Sequence, residues 1–384
     1  MPLRREDALE IVRRFRAAGG RRDTSALRDL YADDAVAISP VFGEVRGADA
    51  IAATWGTMFT TFPDITIDIS DVLVDDDRLA ILGRIGATDR IGWFGLSPTG
   101  SRIDYRIVLL LTTNADGRIV RDERIYDNSG VIERLEKTRL DKELRMAAEV
   151  QRALFPRTAH TAPFCEMVGH SIPCRAIGGD FFEFAELSSG AVALAIGDVA
   201  GKGPAAALLA ALLQGMIAVE APRGASPSET VTRLNDRLAA RGIEPRFATL
   251  VYGVIGADGV FCYTNAGHNP PVVLTQKGVL RLTRGGPILG AFPGAAFEED
   301  RVALGAGDTV VLFTDGVTEA RSGDDEEFGE ERLVRALAAD ASAAPAALLA
   351  RTFAAVREFS GGAEQSDDVT VAVARFLTTR SVSR

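Results

Sequence analysis

The sequence predicts an α+β protein made of two folded domains joined by a long charged helix. Three observations carry this. Residues up to about 130 place helical spacing before a run of alternating strands, the next stretch is helical and heavily charged, and the remainder mixes apolar strands with apolar helices. A chain of 384 residues is long enough for two sizeable cores.

In the first domain, expected over residues 1–130, "EDALEIVRRFRAA" and "TSALRDLYADDA" carry apolar residues at helical spacing. "DITIDISDVLV" then alternates strictly, with Ile65, Ile67 and Ile69 on one face. "RLAILGRIGATDRIGWFG", "SRIDYRIVLLLTT" and "RIVRDERIYDN" continue the pattern, with "NADG" as a hairpin turn between the last two. An antiparallel meander that follows helices describes a compact domain whose sheet can curl around a pocket.

A linker helix is expected over 131–158. "GVIERLEKTRLDKELRMAAEVQRALFPR" sets Leu140, Leu144, Ala147, Gln151 and Leu154 at alternating spacings of four and three, with charges on the other faces. That spacing predicts pairing with a second copy, hence a homodimer, with a helix packed on its own domain as the alternative, and Pro156 ends the helix.

Residues 159–384 alternate strands such as "AVALAIGD", "ATLVYGVI", "VFCYTNAG", "PPVVLTQ", "DTVVLFTDG" and "DVTVAVARF" with helices such as "PAAALLAALLQGMIAV" and "PAALLARTFAAVREF". Short turns, "GADG" and "TQKG", join neighbouring strands, so the sheets should be antiparallel and covered by helices. The tail "LTTRSVSR" reads as disordered.

Composition excludes several classes. A net charge of −10 without a basic patch opposes nucleic-acid binding. The N-terminus lacks the apolar core of a signal peptide, and the longest apolar run is short and alanine-rich for a bilayer span, so a cytoplasmic protein without membrane contact is expected. Cys165, Cys174 and Cys262 show no CxxC spacing and read as small buried hydrophobes.

The chemistry lies in aspartates at strand ends. Asp180 sits in "AIGGDFFEF", Asp198 in "IGDVAGKG", Asp315 in "LFTDGVTEA", and Asp367 and Asp368 in "SDDVTVAV". Strand ends hold side chains rigidly, and carboxylates gathered without histidine or cysteine favour hard cations, Mg²⁺ or Mn²⁺. Two such ions can orient a phosphate and activate water. The loop from Gly197 to Gly203 invites phosphate through its glycines and the helix that opens at Pro204, while Asp198 would repel it; a cation between them resolves the conflict. A P-loop is excluded, because GxxxGKG is one residue short and Gly203 replaces the required hydroxyl.

Together "AIGGDFFEF", "IGDVAGKG", "YTNAGHNPP", "LFTDGVTEA" and "SDDVTVAV" resemble the metal-dependent protein phosphatase (PPM) family, in its bacterial SpoIIE-like branch. The resemblance implies an α-β-β-α sandwich with a two-metal centre at one edge. Asp198 would bridge both ions and the Val199 carbonyl would bind one. Asp315 and Asp367 would hold the other, and Asp180 would complete the second site. Asp198 and Asp315 would be the residues on which turnover depends. Animal relatives carry a histidine where this chain has Ala200, so leaving-group protonation must come from elsewhere. Arg175 is the candidate for binding substrate phosphate. His268 is read as part of a structural turn, with a proton-donating acid as the alternative, Lys202 as steering phosphate or capping a solvated loop, and Asp368 as supporting its neighbour.

The first domain, through "GLSPTG" and its strand pattern, looks like a SnoaL-like cone-shaped α+β barrel, which in relatives isomerises small polyketides or binds ligands. Its acid–base candidates are Asp89, Asp104, Tyr105 and Asp122; no histidine precedes His160, which favours ligand sensing. The resulting expectation is a two-metal serine/threonine phosphoprotein phosphatase. Its substrate would be a phosphorylated anti-sigma-factor antagonist in a partner-switching pathway, under control of a small-molecule ligand in the N-terminal domain. A small-molecule isomerase or cyclase with a regulatory module, and a non-catalytic phosphoprotein-binding scaffold, are the alternatives.

Overall fold

The computed structural model describes residues 4–156, 158–242 and 247–377. The tail beyond Leu377, expected to be disordered, lies outside the described residues. The chain divides into two compact units, Met1–Glu143 and Leu144–Arg384.

The first unit contains α1 (Arg5–Arg21), α2 (Thr24–Arg28), β1 (Tyr31–Ser39), β2 (Gly43–Arg46), α3 (Ala48–Thr61), β3 (Thr66–Asp75), β4 (Arg78–Thr88), β5 (Arg102–Thr113) and β6 (Ile119–Ile125). One sheet runs in the order β2-β1-β6-β5-β4-β3. Strands β3 to β6 form the expected antiparallel meander, with Asn114 to Gly117 as the turn between β5 and β6. β1 pairs parallel to β6, so the sheet is mixed and not wholly antiparallel. The helical spacing of "TSALRDLYADDA" holds only to Arg28. From Tyr31 onward the chain is a strand that buries Tyr31, Ala35 and Ala37 and exposes Asp33 and Asp34; pairing with β6 overrides local propensity. Phe15, Trp55, Phe62, Trp93 and Tyr105 pack into one aromatic-rich core.

Helix α4 (Asn128–Leu154) contains the division between the units. Its expected seam does not form one face. Leu144 packs with Ala148, Ile177 and Ala207, and Gln151 is bonded to its own domain. Leu140, Met146, Val150 and Leu154 are instead more than half exposed, at 55%, 67%, 62% and 51%.

The second unit continues with β7 (Ala159–Ala162), β8 (Cys165–Ile172), β9 (Phe181–Glu186), β10 (Val192–Val199), α5 (Pro204–Glu220), α6 (Pro227–Ala239), β11 (Ala248–Ile255) and β12 (Val260–Ala266). It ends with β13 (Val272–Thr275), β14 (Gly278–Arg281), β15 (Gly285–Gly286), β16 (Asp300–Ala303), β17 (Thr309–Phe313), α7 (Asp315–Thr318), α8 (Gly329–Ala338), α9 (Pro345–Ser360) and β18 (Val369–Phe376). Two sheets run in the orders β15-β12-β11-β10-β9, with β16 on β12, and β14-β13-β17-β18-β8-β7. All pairs are antiparallel except β12 with β15.

Three cores define the layers. Phe182, Leu194, Ile196 and Val251 of one sheet meet Val273, Val310, Leu312 and Ala372 of the other. Ala195, Leu250 and Tyr252 pack outward with Leu209, Leu213 and Ile217 of α5 and Leu234 of α6. Val311, Phe313 and Val371 pack outward with Leu333 of α8 and Leu348 of α9. This is the helix–sheet–sheet–helix sandwich that alternating apolar positions on doubly covered strands require. By length and apolar composition alone α5 could cross a membrane, yet its buried face belongs to this core.

Candidate metal centre

Both sheets deliver carboxylates to one edge. Asp198 is the penultimate residue of β10 and Asp180 immediately precedes β9, while Asp315 opens α7 after β17 and Asp367 lies two residues before β18. Register brings them close: Gly197 pairs with Phe181, and Phe313 with Val371.

Asp180 is buried, and its Oδ2 accepts a 2.7 Å hydrogen bond from the Thr314 hydroxyl on the opposite sheet. Thr314 is fixed by exchange with β18: its amide donates to the Thr370 carbonyl at 3.1 Å and its Oγ1 accepts from the Thr370 amide at 3.0 Å. Asp368 organises backbone. Its Oδ1 accepts from the Cys174 amide at 2.8 Å and its Oδ2 from the Gly179 amide at 2.7 Å. Those bonds require close approach. A Cβ on Gly178 would lie 2.2 Å from Asp368 Oδ2, and one on Gly316 would lie 2.0 Å from the Asp368 carbonyl. Asp368 thus holds the backbone from Cys174 to Gly179.

The carboxylates repel one another. Burial and then the neighbouring Asp198 push Asp180 well above the usual carboxylate range. Burial, followed by Asp315, Asp367 and Asp368, pushes Asp198 up to about 7. Asp315 is raised by burial and by Asp367. Carboxylates whose charges are mutually destabilising fit a hard divalent cation, which would neutralise them together. The Val199 carbonyl lies beside Gly179, where a Cβ would approach it to 2.8 Å.

Other expected residues fall differently. Arg175 is exposed and forms no ion pair among the described residues. His268 is buried: Nδ1 meets Thr249 Oγ1 at 2.7 Å and Nε2 meets the Phe313 carbonyl at 3.1 Å, tying β11 to the strand before Asp315. Burial lowers its pKa to about 4, so it is a neutral crosslink. The glycines divide by role. Gly197 makes room for the Phe181 ring, since a Cβ would lie 2.6 Å from its Cζ, whereas Gly201 and Gly203 adopt φ of 99° and 82°.

Three contributions escaped the sequence. Cys174 is not buried: it is half-buried, and its sulfur groups with oxygens of Asp367 and Asp368 within 4.8 Å. Cys262 is likewise only partly buried, and Cys165 alone fits the buried expectation. Gln151 of α4 grips Gly178, donating to its carbonyl at 2.7 Å and accepting from its amide at 3.2 Å, two residues before Asp180. The threonine of "LFTDG" was a readable signal for Thr314; nothing local marked Gln151.

In the first unit three of the four acid–base candidates hold polar partners. Asp89 Oδ2 accepts from the Thr99 amide and hydroxyl, both at 2.8 Å, and Asp104 is exposed and paired with Arg84. Asp122 accepts from the Tyr31 hydroxyl at 2.8 Å and Arg124 Nε at 3.0 Å, with Arg124 4.4 Å above the Trp55 ring. Burial raises the Tyr105 phenol. Asp122 Oδ1 and Trp55 Nε1 are buried without partners, which a polar ligand or water would satisfy.

Residues 188–377 match the family model of stage II sporulation protein E (SpoIIE), and residues 12–122 match a SnoaL-like domain. The chain thus resembles the SpoIIE family over its C-terminal half and a SnoaL-like domain over its N-terminal part. It is 30% identical over 231 residues to protein IcfG of Synechocystis sp. (52% of this chain, 36% of that protein). It is 29% identical over 187 residues to the phosphoserine phosphatase RsbU of Bacillus subtilis (48% of this chain, 55% of that protein). The chain thus spans about a third to a half of these relatives' length. Among solved structures, the SiaA-PP2C domain of Pseudomonas aeruginosa covers 63% of this chain and 98% of its own (TM-score 0.56, 20% identity). The RsbU and RsbW domains of Rv1364c from Mycobacterium tuberculosis cover 58% and 62% (TM-score 0.50, 24% identity). Both share the fold. PPM phosphatases as a family are metal-dependent.

Proposed function

We propose that this chain is a cytoplasmic serine/threonine phosphoprotein phosphatase that uses two Mn²⁺ or Mg²⁺ ions. The observation that carries the reading is the group of mutually repelling carboxylates delivered by two rigid sheets to one edge. Asp198 and the Val199 carbonyl, Asp180, Asp315 and Asp367 would hold the ions. When bound, the ions supply charge neutralisation for a phosphate and lower the pKa of the attacking water. The chain's own residues fix geometry: Thr314 orients Asp180, and Asp368 holds the backbone from Cys174 to Gly179. Arg175, exposed and without an ion pair among the described residues, would receive the substrate phosphate.

The kinship to RsbU supports a phosphorylated anti-sigma-factor antagonist as substrate, within a partner-switching pathway. Residues 1–130 would sense a small molecule, 131–158 would link, and 159–384 would hydrolyse. The exposed apolar side chains of α4 support a homodimer through that helix. Hydrolysis of p-nitrophenyl phosphate should require Mn²⁺ or Mg²⁺ and vanish in EDTA. Turnover that persists under thorough chelation, or a trapped phospho-enzyme, sinks the reading.

A further inference from the structure

Lys202 lies in the loop between β10 and α5, flanked by Gly201 and Gly203. Its Nζ sits 3.0 Å from Asp367 Oδ2 and also donates to the Ser366 carbonyl. The other Asp367 oxygen accepts from the Asp368 amide at 2.9 Å. Among the described residues, no other lysine or arginine forms an ion pair with Asp180, Asp198, Asp315, Asp367 or Asp368.

A single ammonium therefore offsets a centre crowded with carboxylates. The pair is not locked in place. Both side chains keep about a third of their exposure, 38% and 35%, and a Cβ on Gly203 would meet nothing within 4 Å. A divalent ion bound at Asp367 would repel the ammonium 3.0 Å from its Oδ2, which favours the ammonium's departure. The lysine is the mobile partner, on a four-carbon stem and a loop with two glycines at positive φ.

We propose that Lys202 is the counter-cation of the metal-free centre. It holds Asp367 until a metal ion displaces it, and the released ammonium then pairs with the substrate's phosphate. The inference rests on the metallophosphatase reading and adds an exchange of partners by one residue.

The test uses the full chain and does not depend on turnover. In Lys202→Met the thermal midpoint in EDTA should fall, and Mn²⁺ binding measured by calorimetry should tighten about three- to tenfold. Lys202→Arg keeps the pairing and should preserve the metal-free midpoint, which guards against a general folding defect. In the wild type, labelling of Lys202 by an amine reagent, read by peptide mass spectrometry, should rise at least twofold when Mn²⁺ is added. The KM for p-nitrophenyl phosphate should rise in Lys202→Met. A metal-free midpoint that does not change, together with labelling indifferent to Mn²⁺ while Mn²⁺ still binds, overturns the role of the lysine alone. A wild type that binds no Mn²⁺ overturns the metal reading and the displacement with it.

Discussion

Replacing Asp198 by asparagine should stabilise the metal-free protein. Asp198 is half-buried among carboxylates, and its pKa rises from the ordinary carboxylate value of 3.8 to about 7. A carboxyl with a raised pKa keeps its proton in the folded state while the unfolded chain gives it up, so stability is lost as pH climbs from 3.8 towards 7. A shift of about three pH units corresponds to roughly 4 kcal/mol of penalty above pH 7. Solvent access and relaxation of neighbouring side chains reduce this to about 1–3 kcal/mol. For a unit of this size that is roughly 3–10 °C in Tm. The asparagine amide keeps the shape of the carboxylate and carries no charge. In EDTA at pH 8 the Asp198→Asn variant should therefore melt above the wild type, and the gap should shrink at pH 5, where wild-type Asp198 is protonated. With Mn²⁺ in large excess the order should reverse, because ligand at about a hundredfold its Kd adds roughly 2.7 kcal/mol to a protein that binds it. A variant that melts below wild type in EDTA at both pH values would refute the argument and make Asp198 a turn residue.

Two further outcomes follow from the geometry. Gln151→Ala removes both bonds to the buried Gly178 backbone, costing about 1–3 kcal/mol; it should weaken Mn²⁺ binding in calorimetry, and unchanged affinity would separate α4 from the centre. His268→Asn should lower Tm and leave the pH–rate profile unaltered in shape; because the His268 pKa falls to about 4 from 6.5, wild type should also lose up to ~3 kcal/mol as pH drops through that window, a loss the variant should lack in thermal melts.

The sandwich and its carboxylates were legible because each aspartate borders a long apolar strand, and strand ends are where the chain leaves a rigid layer. His268 was readable too, since a histidine between an asparagine and two prolines belongs to a turn. What escaped depends on distance along the chain. The grip of Gln151 on Gly178 spans 27 residues, and Asp368 reaches the Gly179 amide across 189. The Tyr31–Asp122 bond, 91 residues apart, marks where β1 lies beside β6. In "YADDA" the apolar positions suit a helix as well as a strand, and only that partner decides. The α4 seam misled for another reason. Leucine and alanine at alternating spacings record which positions are apolar, not which of two surfaces each will meet.

Asp180 and Asp198 belong to one sheet, Asp315 and Asp367 to the other, and Thr314 already stitches the two together through Asp180. In the proposed centre a bound cation would span the seam of the sandwich like a rivet through two plates. Its affinity becomes a gauge of how those plates are aligned, because sliding one past the other by a fraction of an ångström spreads or gathers the donor set. By reciprocity, occupancy stiffens the slide. Any event that sheared the layers, on any face of the domain, would then act on the proposed chemistry without approaching it.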